Sequence, residues 1–367
     1  MTKPLGVGLI GCGFATKDRH LPAMSRIAEV EAVALADVEA SVLSQVAERF
    51  GIARRYPDAG ELIADPGVEA VAVCVPAAQH VEVALAALDA GKHVFVEKPL
   101  SLSLEEADRL IERAASSPLK VQVGFNLRWH RIARQARKLI ADGGLGRIQA
   151  LRSVYSDPVV SRPGLPDWRR KRLSGGGSVL EKGVHHFDLW RFLVGEEVEQ
   201  IAAWSTGGRG DDQTVSVTGR TTGSTLLSGL VCDSTTISNE LTIYGESATL
   251  QLDLYRSDGF ELRNLEDLPG APGTRLRRMA ASAGQLAGNV SELRRGGAFD
   301  TSYDGEWRHF AVAVREGREP GCTLEDGRRA LQIALAVLES AAVGKPMDVA
   351  DAPQSVAALA ATEKSSG

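Results

Sequence analysis

Cysteine is sparse. Cys12, Cys74, Cys232 and Cys322 are scattered through 367 residues with no C-x-x-C pair. That spacing excludes a zinc ribbon or a thiol-redox motif, and leaves four small buried hydrophobes suited to a reducing compartment. Long apolar runs are missing too; none approaches the ~18 to 20 residues that cross a bilayer. Met1 to Pro4 lead straight into the first apolar run without a signal-peptide pattern. The expected location is therefore cytoplasmic. There is no basic excess: the net charge is −5, which argues against nucleic acid or an anionic membrane as partner. No internal repeat is present. What remains is ordinary for a soluble globular protein, with 44% hydrophobic and 24% charged residues. The length implies two domains.

The most informative stretch lies near the start. An apolar run (Leu5, Val7, Leu9, Ile10) reads as a buried strand, Gly11-Cys12-Gly13 as a turn, and residues 14–28 as an amphipathic helix. Strand, glycine turn and helix are the parts of a dinucleotide site. Gly11 allows the tight turn, and Gly13 lets backbone approach a pyrophosphate at the helix N-terminus, beside Phe14 and Ala15. The third position of the fingerprint, normally Gly or Ala, is Thr16. A second apolar run, Val30 to Ala36, ends in Asp37, placed to accept hydrogen bonds from ribose hydroxyls and to repel a 2′-phosphate. Val38, Glu39 and Ala40 offer that phosphate no cation. The expected cofactor is NAD, with NADP as the alternative.

Short apolar runs alternate with helical patterns over the first ~120 residues, as a parallel sheet with crossover helices requires. Helices are expected over 39–50, 79–90 and 104–116, the last opened by the capping box Ser103 to Glu106. Strands are expected at Val68–Val75, His93–Val96 and Lys120–Val123. The second half changes character. A helix (129–142), a strand (147–155) and a loop rich in Pro and Arg lead to Gly175-Gly176-Gly177 and a helix ending near Leu193. Residues 197–263 alternate with period two, as in an antiparallel sheet with one apolar face. Its other face, rich in Ser and Thr, is solvated or open to a partner subunit. A basic helical segment (274–295) and a long helix (324–343) follow. The fold class is thus an N-terminal Rossmann domain (1–124, α/β) followed by an α+β domain (125–349). The latter is built on a large open, mainly antiparallel sheet flanked by helices, with a frayed tail (350–367).

Three more motifs carry chemistry. Cys74-Val75-Pro76-Ala77-Ala78-Gln79-His80 and Val96-Glu97-Lys98-Pro99-Leu100 follow strands at the carboxyl edge, where open parallel sheets bind ligands. Gly175 to Gly177 precede a helix carrying Glu181, His185 and Asp188 on one face, at i, i+4 and i+7. With Gly124-Phe125-Asn126-Leu127-Arg128 and Thr323-Leu324-Glu325-Asp326-Gly327, the chain resembles the glucose–fructose oxidoreductase/inositol dehydrogenase (Gfo/Idh/MocA) family from about residue 5 to about 349. The resemblance implies an NAD(P)-dependent oxidoreductase acting on CH–OH, with a small polyhydroxylated substrate and association into dimers or tetramers through the second sheet. It also implies that Lys98 orients the substrate hydroxyl, that His185 is the general base, and that the acid at 181 tunes His185.

The chemistry stands without the family. Removing hydride from a secondary alcohol needs a base for the proton and a donor for the developing alkoxide. Lys98 can donate, and histidine titrates near neutrality. Val75, Pro76, His80, Glu97 and Lys98 are candidate cofactor contacts. Asn126, Arg128 and Trp168 are candidate substrate contacts beside Lys98 and His185, although a core or interface role suits them equally. Glu181 departs from the family's Asp, and it also completes a second capping box with Ser178, so tuning and capping both remain open. His186 reads as structural, and Asp188 as a partner of nearby backbone. His185, His186 and Asp188 lack zinc spacing, and no metal is expected. The function expected is interconversion of a secondary alcohol and a ketone on a sugar, sugar derivative or cyclitol. The alternatives are a glycosidase that retains NAD for an internal redox cycle and a non-catalytic NAD-binding regulator.

Overall fold

The computed structural model describes residues 3–268 and 270–359. They form two compact units. The first joins the described residues up to Asn126 with Tyr303–Leu331; the second joins Leu127–Ser302 with the described residues from Gln332 onward. A division at one point of the chain does not foresee the return of 303–331 to the first unit.

The first unit holds six parallel strands: β1 (Leu5–Ile10), β2 (Val30–Ala36), β3 (Arg54–Tyr56), β4 (Ala70–Val73), β5 (His93–Glu97) and β6 (Val121–Gly124), in the order β3-β2-β1-β4-β5-β6. β1 and β4 are buried at every residue, as a parallel sheet covered on both faces demands. Ile10 pairs with both Ala36 and Val73, and Val73 with Val96. The residues that follow, Gly11, Asp37, Cys74 and Glu97, therefore share one edge. Strand order reverses between β1 and β4, which makes this edge a topological switch point. The expected helix after the glycine turn is present from Phe14 to Met24, with a π-helical stretch at Thr16–His20 in its middle. Pro22 lacks the N–H that an α-helical bond requires there, and a widened turn accommodates it. The helix Gly297–Glu316 has no counterpart in the sequence reading. It sends Trp307 and Phe310 into the core, where Trp307 stacks on Phe95 with ring centroids 4.4 Å apart.

The second unit is an eight-stranded sheet: β7 (Ile148–Ser156), β8 (Val198–Thr206), β9 (Thr214–Thr221), β10 (Leu226–Cys232), β11 (Ser238–Gly245), β12 (Ala248–Asp253), β13 (Phe260–Asn264) and β14 (Met347–Asp348). The order is β13-β12-β11-β7-β10-β9-β8-β14, antiparallel throughout except for the parallel β7–β10 pair. The helix Val184–Val194 packs on its apolar face, where Trp190 Nε1 donates to Ser153 Oγ at 3.0 Å. Gly229 makes room for that indole; a Cβ there would stand 2.8 Å from the ring. The other face is less polar than expected. Ser216 lies between Trp204 and Leu230, and Arg220 pairs with Leu226. Trp204 is 63% exposed and Leu226 61%.

The basic segment forms the helix Pro272–Gly288 and a turn Val290–Leu293. Residues 350–359 do not fray as expected. Ala352, Val356 and Leu359 are buried, the last two on a short helical turn that begins at Val356. The rest of the expected tail lies outside the described residues.

Candidate active site

In the first unit the glycine turn is built to be approached. Gly11 has φ +94°, and a Cβ on it would lie 2.5 Å from the Cys74 carbonyl oxygen, so only glycine fits. A Cβ on Gly13 would meet nothing within 4 Å, which leaves open space where the fingerprint expects phosphate. Thr16 replaces the usual small residue by turning inward: it is fully buried and its Oγ1 donates to the Gly11 carbonyl at 2.5 Å. Phe14 is half-exposed, with the Arg19 guanidinium 5.3 Å from its ring centroid. Ala15 is partly buried in the same turn.

Asp37 is tied to that turn. Its Oδ2 accepts the Cys12 N–H at 2.7 Å and its Oδ1 the Glu39 N–H at 2.9 Å. Each carboxylate oxygen keeps acceptor capacity for ribose hydroxyls. Burial and the Asp37 charge push the Cys12 thiol up to about 12, so it stays protonated.

Beyond β4 and β5 the chain makes two turns joined by one ring. His80 is buried, with Nε2 2.8 Å from the Val75 carbonyl and Nδ1 2.8 Å from the Pro99 carbonyl. Both ring nitrogens face protein carbonyls, so His80 holds the two turns together and Pro76 stands exposed between them. Burial pushes its pKa down, against the two carbonyls. The Lys98–Pro99 peptide is cis. Lys98 is half-buried, and Glu97 accepts both its backbone N–H at 3.0 Å and a contact from His20 Nε2 at 2.8 Å. Glu97 therefore serves its own turn first. Asn126 is buried at the end of the unit.

In the second unit, Arg128 and Asp188 form a buried two-pronged ion pair, Nε–Oδ2 2.8 Å and Nη2–Oδ1 2.6 Å. The fork proposed for substrate is thus engaged by Asp188, and Asp188 meets a guanidinium where the sequence reading expected backbone. Trp168 is 39% exposed in the short turn Asp167–Arg170. The helix that carries His185 opens with a π-turn, Val179–Gly183, and continues as Val184–Val194.

That opening decides against the second capping box. Ser178 has φ −65° and ψ −32°, already helical, whereas a capping serine must be extended. Its Oγ donates instead to the Asp212 carbonyl. Glu181 pairs with Arg169, Nη2–Oε2 2.5 Å, a partner the sequence did not announce. The next residue, Lys182, is buried against Asp233 and lies 3.1 Å from Asp157. Burial raises the Asp233 pKa despite that lysine. His185 is 8% exposed, near the Tyr155 ring. His186 stacks on Tyr155 and lies 3.0 Å from Asn239 Oδ1, and burial pushes it down to about 4.

Comparison with known proteins gives this arrangement its place. Residues 5–125 match the oxidoreductase family with an NAD-binding Rossmann fold, and residues 133–251 match the GFO/IDH/MocA C-terminal domain. The chain belongs to the Gfo/Idh/MocA family. Among its relatives is myo-inositol 2-dehydrogenase of Thermotoga maritima, 36% identical over 197 residues, which cover 54% of this chain and 57% of that enzyme. An uncharacterized oxidoreductase of Bacillus subtilis is 27% identical over 95% of this chain and 98% of its own. A crystal structure of a probable dehydrogenase from Thermotoga maritima superposes with a TM-score of 0.77 at 28% identity, covering 95% of this chain and all of that one. The open space at Gly13, the positive φ of Gly11 and the acceptor Asp37 fit the NAD of this Gfo/Idh/MocA Rossmann unit.

Proposed function

We propose that the chain interconverts a secondary alcohol and a ketone on a neutral polyhydroxylated substrate, a sugar, sugar derivative or cyclitol, with NAD as cofactor. The observation that carries the reading is the placement of Lys98. It follows β5 at the same sheet edge as the glycine turn and Asp37, so an amine is offered beside the nucleotide site. Relatives named as inositol and levoglucosan dehydrogenases support the substrate class.

NAD, when bound, supplies the hydride acceptor. The Lys98 ammonium donates a hydrogen bond to the substrate hydroxyl and stabilises the alkoxide that forms. A ring nitrogen of His185 takes the hydroxyl proton. Glu181 orients that ring, with Arg169 limiting its negative charge. Run in reverse, the same groups return the proton to a ketone. The direct test is a screen of inositols, anhydrosugars and free sugars for NAD reduction by the purified protein. Turnover on at least one polyol is expected. Release of an alcohol without net NADH would assign the chain to the hydrolytic alternative, and binding of NAD without any turnover would leave a regulator.

A further inference from the structure

The first unit contains a carboxyl group that no part of the mechanism uses. Glu306 lies in the helix Gly297–Glu316, is fully buried, and has no hydrogen-bond partner at either side-chain oxygen. A buried polar atom left unsatisfied is costly and rare, and calls for a reason.

Its neighbours supply one. His20 is wholly buried, and the Trp307 indole N–H reaches its Nδ1 at 3.1 Å. An indole nitrogen only donates, so Nδ1 accepts and the ring proton sits on Nε2, directed at Glu97. Burial opposes a charge on His20, while Cys74 and Glu97 favour one and the balance of these effects runs upward; a ring protonated on both nitrogens would set an N–H against the Trp307 N–H, so the indole contact holds the ring neutral. Glu97 thus receives the His20 N–H and the Lys98 backbone N–H. Burial works against its ionised form, but His20 and Lys98 hold its carboxyl below the ordinary carboxylate range. Gly124 leaves the space; a Cβ there would stand 3.2 Å from Glu97 Oε1.

Glu306 feels the same site from the other side. Burial and then the Glu97 charge push its pKa well up, and a neutral His20 supplies no charge to offset them. Cys74 and Lys98 act on His20 and Glu97 in turn, and the Tyr303 ring lies edge-on to His20 at 5.6 Å. Glu306, fully buried and without a partner for either oxygen, is the carboxyl that keeps its proton, and the hydrogen-bonded Glu97 is the one that keeps the charge.

We propose that Glu306 is a positioning residue, a buried neutral acid that leaves Glu97 as the single anion holding the Lys98 turn. This rests on the reading of Lys98 as the residue that acts on the substrate hydroxyl. Ionisation of Glu306 sets a second negative charge beside Glu97, disturbs the turn, and lowers kcat on the alkaline side.

Infrared difference spectra test the proton directly, with no substrate needed. The parent at pH 7 is expected to show a protonated-carboxyl carbonyl band that Glu306→Gln lacks. In Glu97→Gln, which removes the like charge, that band disappears at a lower pH. Glu306→Gln imitates the neutral acid, so it keeps kcat at pH 7 within about twofold, and loses the alkaline decline in kcat seen in the parent. Three results would each overturn the proposal: no acid band at pH 7, a band midpoint indifferent to Glu97→Gln, or one kcat–pH profile for parent and Glu306→Gln. The two spectroscopic arms stand even if the substrate class is wrong.

Discussion

Arg169 and Glu181 meet end to end, guanidinium nitrogen to carboxylate oxygen at 2.5 Å, with both side chains largely withdrawn from solvent. The pair ties a short turn of the Arg-rich loop to the first turn of the helix that carries His185. Burial opposes the charge on Arg169, and Glu181, with Asp157 and Asp233, more than restores it. If Glu181 tunes His185, its charge is shared with Arg169. Glu181→Gln then removes an anion four residues from His185 and moves the rise of kcat/KM with pH to lower pH. Arg169→Met exposes the full anion and moves it higher. Opposite shifts from these two variants are the expected result, and coincident profiles would dismiss tuning.

Lys98→Ala is expected to lower kcat by roughly 10² or more, the loss seen on removing one donor to a developing oxyanion. NADH affinity, read by fluorescence titration, stays nearly unchanged. His185→Ala shows a comparable loss of turnover. Full activity in both variants on a proven substrate would place the chemistry elsewhere.

Asp37 has a second duty through the Cys12 N–H. Asp37→Ser is therefore expected to narrow the preference for NADH over NADPH and to weaken NADH binding by about tenfold, as loss of a charge-assisted bond implies. Dissociation constants for both cofactors in parent and variant check this. A parent that binds NADPH as tightly as NADH contradicts the reading of the acid.

Two buried histidines predict an acid-sensitive fold. His130 takes the Ile132 N–H on Nδ1 and gives its Nε2 proton to the Leu254 carbonyl; His186 lies against Asn239. Burial lowers both from 6.5 to about 4. Their folded-state values are depressed, so the unfolded chain takes up protons first. Their contribution to stability is complete above pH 6.5 and is lost as pH falls from about 6.5 to about 4, at up to about 3 kcal/mol for each ring. Urea midpoints measured at intervals across that window should fall, and the fall should be shallower in His186→Gln.

The open sheet face predicts self-association. Trp204, Leu226, Leu230 and Tyr244 are exposed among its serines and threonines, a patch that a lone chain of this kind seldom leaves bare. Light scattering should find a dimer or tetramer that Trp204→Arg weakens. A 39.1 kDa particle at micromolar concentration would refute it.

The nucleotide half was legible because its signals are local. Gly11, Asp37 and Lys98 each sit directly after a strand, with Gly13 in the turn that Gly11 opens, and parallel pairing carries all four to one edge. The second half speaks through distant partners. Arg169 reaches Glu181 only after a run of short turns, so the Ser178–Glu181 spacing looked like a cap and was not one. Arg128 and Asp188 lie far apart in sequence, and neither alone reveals the other. β3 was missed because its three residues are mostly exposed, with no apolar run to mark them. The helix Gly297–Glu316 begins with glycines and buries Glu306, which hides its inner face from any apolar count.

The return of Tyr303–Leu331 to the first unit sets an order of events during synthesis. Trp307 and Phe310 complete the core around Phe95, yet they are translated after the whole eight-stranded sheet apart from β14. On the ribosome the nucleotide-binding unit emerges first, yet it is completed only after nearly all of the second sheet has been made. A nascent chain stalled before residue 303 would carry every element of the NAD fingerprint and still lack the wall that Phe95 and His20 pack against.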